Sequence, residues 1–283
     1  MNIETDNILK KFGKNNDSRS SVLSLSQQLD MKAVVAETID LLNKEDEVFK
    51  QYYSQKTPAE KIDFEGYLQS ETLTKINGIG FDVQHSRDLF NNGSFYLSLE
   101  NNILAIIGRN GEPLLIQEGL NNPEVLEAAD VLNIASIVIE AILLVVSIAT
   151  TVNPSPKAVA EATQSVVQKI TNYPAIRIAV SKIVEAYNQS GIGFSLAKAI
   201  FELIKECHSI GIVISTVRKL FSSLSIWDYA LAIAKFTAYI VAAIASGGIA
   251  LIAKIAMILV DSVYFIRKLI NYNQIQSLLE NKT

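Results

Sequence analysis

The chain has 283 residues, 49% of them hydrophobic and 19% charged, with a formal net charge of −4 and a pI near 5.4. A chain of this length can bury roughly three quarters of its unfolded surface, in one large domain or two. The single cysteine, Cys207, excludes an internal disulfide, and the acidic pI without basic–aromatic clusters argues against a nucleic-acid partner.

Residues 1–24 are rich in Asn, Ser and Lys and show no apolar period, which predicts a flexible arm. The same stretch lacks the apolar core of a secretory signal. It fits a cytoplasmic chain that leaves its cell by lysis or a dedicated route and then meets a target membrane. Leu25, Leu29, Ala33, Ala36, Ile39, Leu42, Phe49 and Tyr52 recur at helical spacing and predict one amphipathic helix from about Gln27 to Tyr53. Thr57-Pro58-Ala59-Glu60 combines a hydroxyl cap, a first-position proline and a third-position glutamate, so a short helix to about Leu68 follows.

The period then changes to two. Ile79–Val83, Ser94–Leu99, Ile103–Ile107 and Leu114–Ile116 predict a small antiparallel sheet over 79–117. Asn91-Asn92-Gly93 supplies turn chemistry, and Gly108–Glu112, with its Asn-Gly pair, marks the clearest hairpin. Residues 25–121 therefore form an acidic α+β region.

Residues 122–283 predict a hydrophobic helical bundle. Asn122-Pro123-Glu124 opens a helix that ends at Asn153-Pro154, and from Val131 to Val152 only Glu140 is charged. A carboxylate buried there would titrate high and could serve as an acid trigger, which makes Glu140 a candidate pH-sensitive group. Ser155-Pro156, Pro174, Phe194 and Gly211 open four further helices, the last two ending near Cys207 and Leu224, and the polar tail from Asn271 is expected to fray.

The stretch from Ser225 to Ile270 is the most apolar part of the chain's end. Eighteen uncharged residues separate Lys235 from Lys254. Ser225 and Asp228 open the stretch as a cap, Trp227 and Tyr229 follow, and Arg267 and Lys268 close it, where cations favour a helix C-terminus. Two geometries fit. In one, Ser246-Gly247-Gly248 is a turn between arms Tyr229–Ala245 and Ile249–Leu269, each near the thickness of a bilayer core. In the other, one helix runs through. Ala230, Ala234, Ala238, Ala242, Ser246 and Ala250 then make a ridge of small residues along which another backbone could approach. Each lysine inside the stretch would cost roughly 2.5–3.5 kcal/mol at mid-bilayer, or could reach water on its stem.

Chemistry is otherwise sparse. His85 and His208 are far apart, and Cys207 beside His208 is not metal-ligand spacing. Gly78-Ile79-Gly80 is not a dinucleotide fingerprint, and no phosphate loop, zinc motif, nucleophile elbow or calcium loop is present. No catalytic residue, metal or cofactor is expected, and the chain does not look like an enzyme.

The fold class expected is mainly α: a multi-helix bundle around a central hydrophobic helical hairpin, with a small antiparallel sheet in the first half. In pattern, 122–283 resembles the pore-forming domains of colicin-type bacteriocins, which hide a hydrophobic hairpin among amphipathic helices. It shares no motif with them and differs in carrying Lys235 and Lys254, where those hairpins are largely uncharged. The resemblance implies a toxin or effector that stores membrane-length helices and inserts them into a lipid surface, anionic or reached through a membrane receptor. The rival expectation is a soluble structural or interaction protein that forms a homo-oligomer or self-assembling particle through its alanine ridge.

Overall fold

A computed structural model describes residues 29–78 and 81–281; the arm expected over 1–24 lies outside the described residues. Asp30 caps α1 (Met31–Glu45) by accepting from the amides of Lys32 and Ala33. The single helix expected over 27–53 is two, because Asp46 takes an extended conformation (φ −131°, ψ 101°) and starts α2 (Glu47–Ser54). Its carboxylate accepts from the Phe49 amide at 2.8 Å, from the Tyr229 hydroxyl and from Arg218 Nε at 3.3 Å. A periodic apolar stripe cannot reveal a break fixed by such distant partners.

Thr57 and Glu60 form the expected capping box on α3 (Pro58–Ile76), which runs eight residues past Leu68 because Leu68, Thr72 and Ile76 continue its buried stripe. Of the strand expected at 79–83, the described residues 81–83 form none. Residues 79 and 80 lie outside the described residues, and Asp82 caps α4 (Val83–Gly93) through the His85 amide. Asn91-Asn92-Gly93 is the last turn of that helix rather than a hairpin.

The sheet is β1 (Tyr96–Glu100), β2 (Ile103–Ile107) and β3 (Pro113–Glu118), antiparallel in that order. Tyr96 faces Ile107 and Glu100 faces Ile103 across a two-residue turn in which Asn101 and Asn102 both take positive φ (51° and 65°). Asparagine tolerates that conformation better than most residues, which suits a tight hairpin. The expected Gly108–Glu112 hairpin joins β2 to β3.

The helical half follows as α5 (Pro123–Ala149), α6 (Pro156–Ile170), α7 (Pro174–Ser190), α8 (Phe194–Ser209) and α9 (Ile212–Leu220). Each begins within a residue of its predicted start. Helix α9 stops four residues short of Leu224 in a turn at Phe221. Among the described residues the fold is thus a mainly α bundle with one small sheet, and its central apolar helix is α5. From Leu132 to Ala149 every side chain of α5 is buried.

The 225–270 stretch bends at Gly247 and Gly248, both at φ +76°, so the continuous-helix geometry is excluded. It forms α10 (Ile226–Ala245) and α11 (Ile249–Leu259). The second arm does not reach Leu269: after Leu259 the chain turns by 92° into α12 (Val263–Glu280). The arms find their main partners elsewhere. Helix α10 lies against α1 and α3, and α11 lies against α8 and α4. Gly248 is fixed twice, since a Cβ would fall on the Phe201 ring of α8 and its φ is left-handed. The tail from Asn271 does not fray: Tyr272 and Ile275 are buried and the helix continues to Glu280.

Candidate functional site: a polar seam beneath the apolar helices

Asp130, Asn133 and Glu140 lie on α5, the second and third placed three and ten residues after the first, which sets them on one face of the helix. All three are buried. The face is covered by α12, and the pairing runs antiparallel along it. Asp130 binds Arg177 of α7 and accepts from Gln276 Nε2 at 2.6 Å. Asn133 Nδ2 donates to the Lys268 carbonyl at 3.3 Å. Glu140 pairs with Lys268, and both side chains are 0% exposed.

The Glu140–Lys268 pair is completed by the chain that enters β1. Ser94 Oγ donates to Glu140 Oε2 at 3.0 Å, or to the Phe90 carbonyl at 2.8 Å. The Phe95 amide reaches Glu140 Oε1 at 3.3 Å. Lys268 Nζ donates to the Phe95 carbonyl at 2.7 Å and sits 3.7 Å from the centre of the Phe95 ring. Burial pushes the Lys268 ammonium down to about 8, against the pull of Glu140. Neither side chain reaches solvent, so the pair acts as a clasp tying α5, α12 and β1 together. Asn271 Nδ2 extends the clasp by donating to the Leu97 carbonyl at 3.1 Å.

The structure brings together two of the residues singled out from sequence, Glu140 and Lys268, across 128 positions. It corrects the roles given to Arg267 and Lys268. They do not close a helix: both lie in the second turn of α12, Lys268 inward and Arg267 outward over the Tyr96 ring at 5.8 Å. Lys235 and Lys254 also part ways. Lys235 reaches toward the surface and pairs with Glu71 at 3.1 Å. Lys254 is buried and donates to the Lys75 carbonyl, with the Tyr239 hydroxyl at 3.5 Å. Burial, then the nearby Lys75 charge, pushes Lys254 down to about 7.

The remaining hairpin residues separate by depth. Ala238 and Ala242 are fully buried, as are Ala230 and Ala234, so most of the alanine ridge is used inside this chain. Ser246 is half-buried at the turn. Tyr229 is buried against Asp46, whereas Trp227 stands out at the start of α10. Cys207 is buried and its thiol is pushed up by that burial.

Sequence reading missed Asp46, Asp130, Ser94 and Phe95. Asp130 was findable: it shares a helical face with Asn133 and Glu140 inside an apolar helix, where polar residues need partners. Ser94 and Phe95 carried no such signal, because they act largely through backbone groups and a single hydroxyl. No protein-family model matches the chain, and no curated protein or solved structure matches it significantly.

Proposed function

We propose that this chain is a membrane-active α-helical protein of the pore-forming type, a toxin or effector whose water-soluble fold stores helices able to cross a bilayer. One observation carries the reading. Helix α5 has 27 residues and an 18-residue window of mean hydropathy 2.5, yet 94% of that window is buried. Helix α10 is the other such single helix among the described residues, with 20 residues, hydropathy 1.5 and 72% burial. At about 1.5 Å per residue they span roughly 40 and 30 Å, and a bilayer core is about 30 Å thick. Helix α11, at 11 residues, spans only roughly 16 Å, so the inserting elements are α5 and α10 rather than the 229–269 hairpin.

The packing of the acidic first region supports a covering role, since α1 and α3 lie along α10. Release of α5 requires the clasp at Glu140 and Lys268 to open. The partner is a lipid surface, anionic or presented with a receptor, reached after the chain leaves its cell. The alanine ridge offers little free face to a second copy in this fold, which weakens the oligomer reading. Dye release from anionic liposomes at neutral and acid pH tests the proposal. Leakage at either pH supports it; intact vesicles under both conditions reject it.

A further inference from the structure

Three elements converge on one corner of the surface. Tyr52 comes from the last turn of α2, Phe64 from the second turn of α3, and Trp227 from the first turn of α10. The Tyr52 and Trp227 rings stand edge to face, centroids 5.0 Å apart at 90°, and Tyr52 and Phe64 meet at 6.1 Å and 64°. The ammonium of Lys56, from the α2–α3 turn, sits 4.6 Å from the Tyr52 centroid, 5.3 Å from Trp227 and 5.8 Å from Phe64. Three rings of different orientation thus surround one cation. Among the described residues no carboxylate forms an ion pair with Lys56. Glu60, whose charge it feels, is held by the Thr57 amide and hydroxyl at 2.8 and 2.7 Å.

Ring faces attract a cation electrostatically, and the gain grows when the cation sheds its water. A lysine ammonium is compact and strongly hydrated, which makes it a poor guest. A trimethylammonium group spreads the same charge over methyl groups and gives up water more readily. The corner is also open. Phe64 forms a buried floor, while Trp227 is 67% exposed and the adjacent Ile226 63% exposed. Lys56 enters on a flexible stem from a turn, so it can leave without disturbing a helix.

We propose that this corner is a quaternary-ammonium site that Lys56 fills in the free protein, and that its ligand is the choline headgroup of a lipid. Choline takes the ring faces, and the displaced Lys56 ammonium pairs with the adjoining phosphate. Ile226 and Trp227 then meet the interfacial region of the bilayer, where exposed aromatic side chains are favoured. The site lies at the first turn of α10, so docking would hold one membrane-length helix by its end at the lipid surface. The lipid assignment rests on the membrane-active reading; the cage itself does not.

Trp227 is the only tryptophan in the chain, so its fluorescence reports on this corner alone. Titration with tetramethylammonium chloride, against sodium chloride at equal ionic strength, is expected to give a saturable change. Lys56→Ala empties the cage and is expected to tighten binding about tenfold, while Tyr52→Ala weakens it about tenfold, consistent with ring contacts of this kind. Helical circular dichroism checks that both variants remain folded. Vesicles of phosphatidylcholine are expected to shift Trp227, and vesicles of phosphatidylethanolamine, with a primary ammonium, to do so far less. No saturable response to tetramethylammonium in either the parent or Lys56→Ala overturns the cage. A response to tetramethylammonium with none to phosphatidylcholine overturns the lipid assignment. Loss of liposome leakage with cage binding intact rejects only the pore-forming reading.

Discussion

The buried clasp makes a prediction that separates it from an ordinary surface pair. Removing one partner of a buried ion pair leaves an uncompensated charge and costs about 3–5 kcal/mol. Glu140→Gln and Lys268→Met should each lower the unfolding free energy by about that much at pH 7. The double variant should not lose the sum. The amide introduced at position 140 keeps one acceptor oxygen for the Phe95 amide and can turn its NH2 group to Ser94 Oγ, which still donates to the Phe90 carbonyl. With methionine filling the lysine channel, the double variant should lie within about 1–2 kcal/mol of the parent, because replacing a buried pair is often near neutral. The coupling therefore exceeds the roughly 0.5–3 kcal/mol usual for contacting residues. Urea unfolding followed by Trp227 fluorescence and by circular dichroism measures all four corners of the cycle. The Glu140→Gln deficit should also shrink as pH rises. Without Glu140, the folded pKa of Lys268 falls further below its unfolded value of about 10.4, so the unfolded state binds more protons across the intervening range and stability climbs with pH. Small additive losses in the singles, with no pH dependence, would refute the clasp.

Gly248→Ala should destabilise by about 2–5 kcal/mol, combining a left-handed backbone with overpacking against Phe201, while Gly247→Ala should cost only about 1–2 kcal/mol because its Cβ meets open space; thermal melts of the two compare them directly. His208 is pushed down by burial, against the pull of Glu37. Its folded pKa thus lies below the unfolded value, so its contribution is present above about pH 6.5 and is lost as pH falls. The melting temperature should therefore drop on acidification, and drop less in His208→Gln. Lys254→Met removes a charge held down to about 7 while the Lys75 carbonyl keeps its bond from the Gly78 amide. It should stabilise the fold at pH 6 and reduce the rise in stability between pH 7 and 10 that the parent shows on titration. Asp46→Ala loses a helix cap and the acceptor of the Tyr229 hydroxyl, which keeps only its contact with Arg218, for about 2–4 kcal/mol, read from urea midpoints.

The helices that sequence placed well are those bounded by local chemistry. Pro123, Pro156 and Pro174 stand at first helical positions, and Gly247 and Gly248 break the apolar stretch, because proline and glycine act on their own backbone. The errors occur where a distant partner decides. Asp46 interrupts a periodic stripe because Tyr229 and Arg218 hold it. Val83–Gly93 is helical despite turn-rich asparagines because Asp82 caps it and Phe90 and Ser86 face the core. The candidate site was half legible. Glu140 stood out as the lone charge in an apolar helix, but nothing local tied it to Lys268, whose neighbours suggested a helix end. A cationic pair at a helix terminus and a buried clasp have the same residues, and only packing tells them apart.

The clasp also bears on the proposal that α5 leaves the bundle for a bilayer. A charge at the centre of an inserted helix costs about 2.5–3.5 kcal/mol on insertion scales, and Glu140 lies within the most apolar part of α5. In the folded chain the same carboxylate has an ammonium, a hydroxyl and an amide around it. If α5 enters a bilayer, Glu140 opposes that step twice: it holds α5 inside the bundle and makes α5 a poorer guest in lipid. Its neutral variants should weaken the first hold and reduce the second cost together. If α5 is a membrane segment, Glu140→Gln must release dye from anionic vesicles faster than the parent, at a pH where the variant is still folded. A purely structural helix would lose stability on the same substitution and leave the vesicles intact.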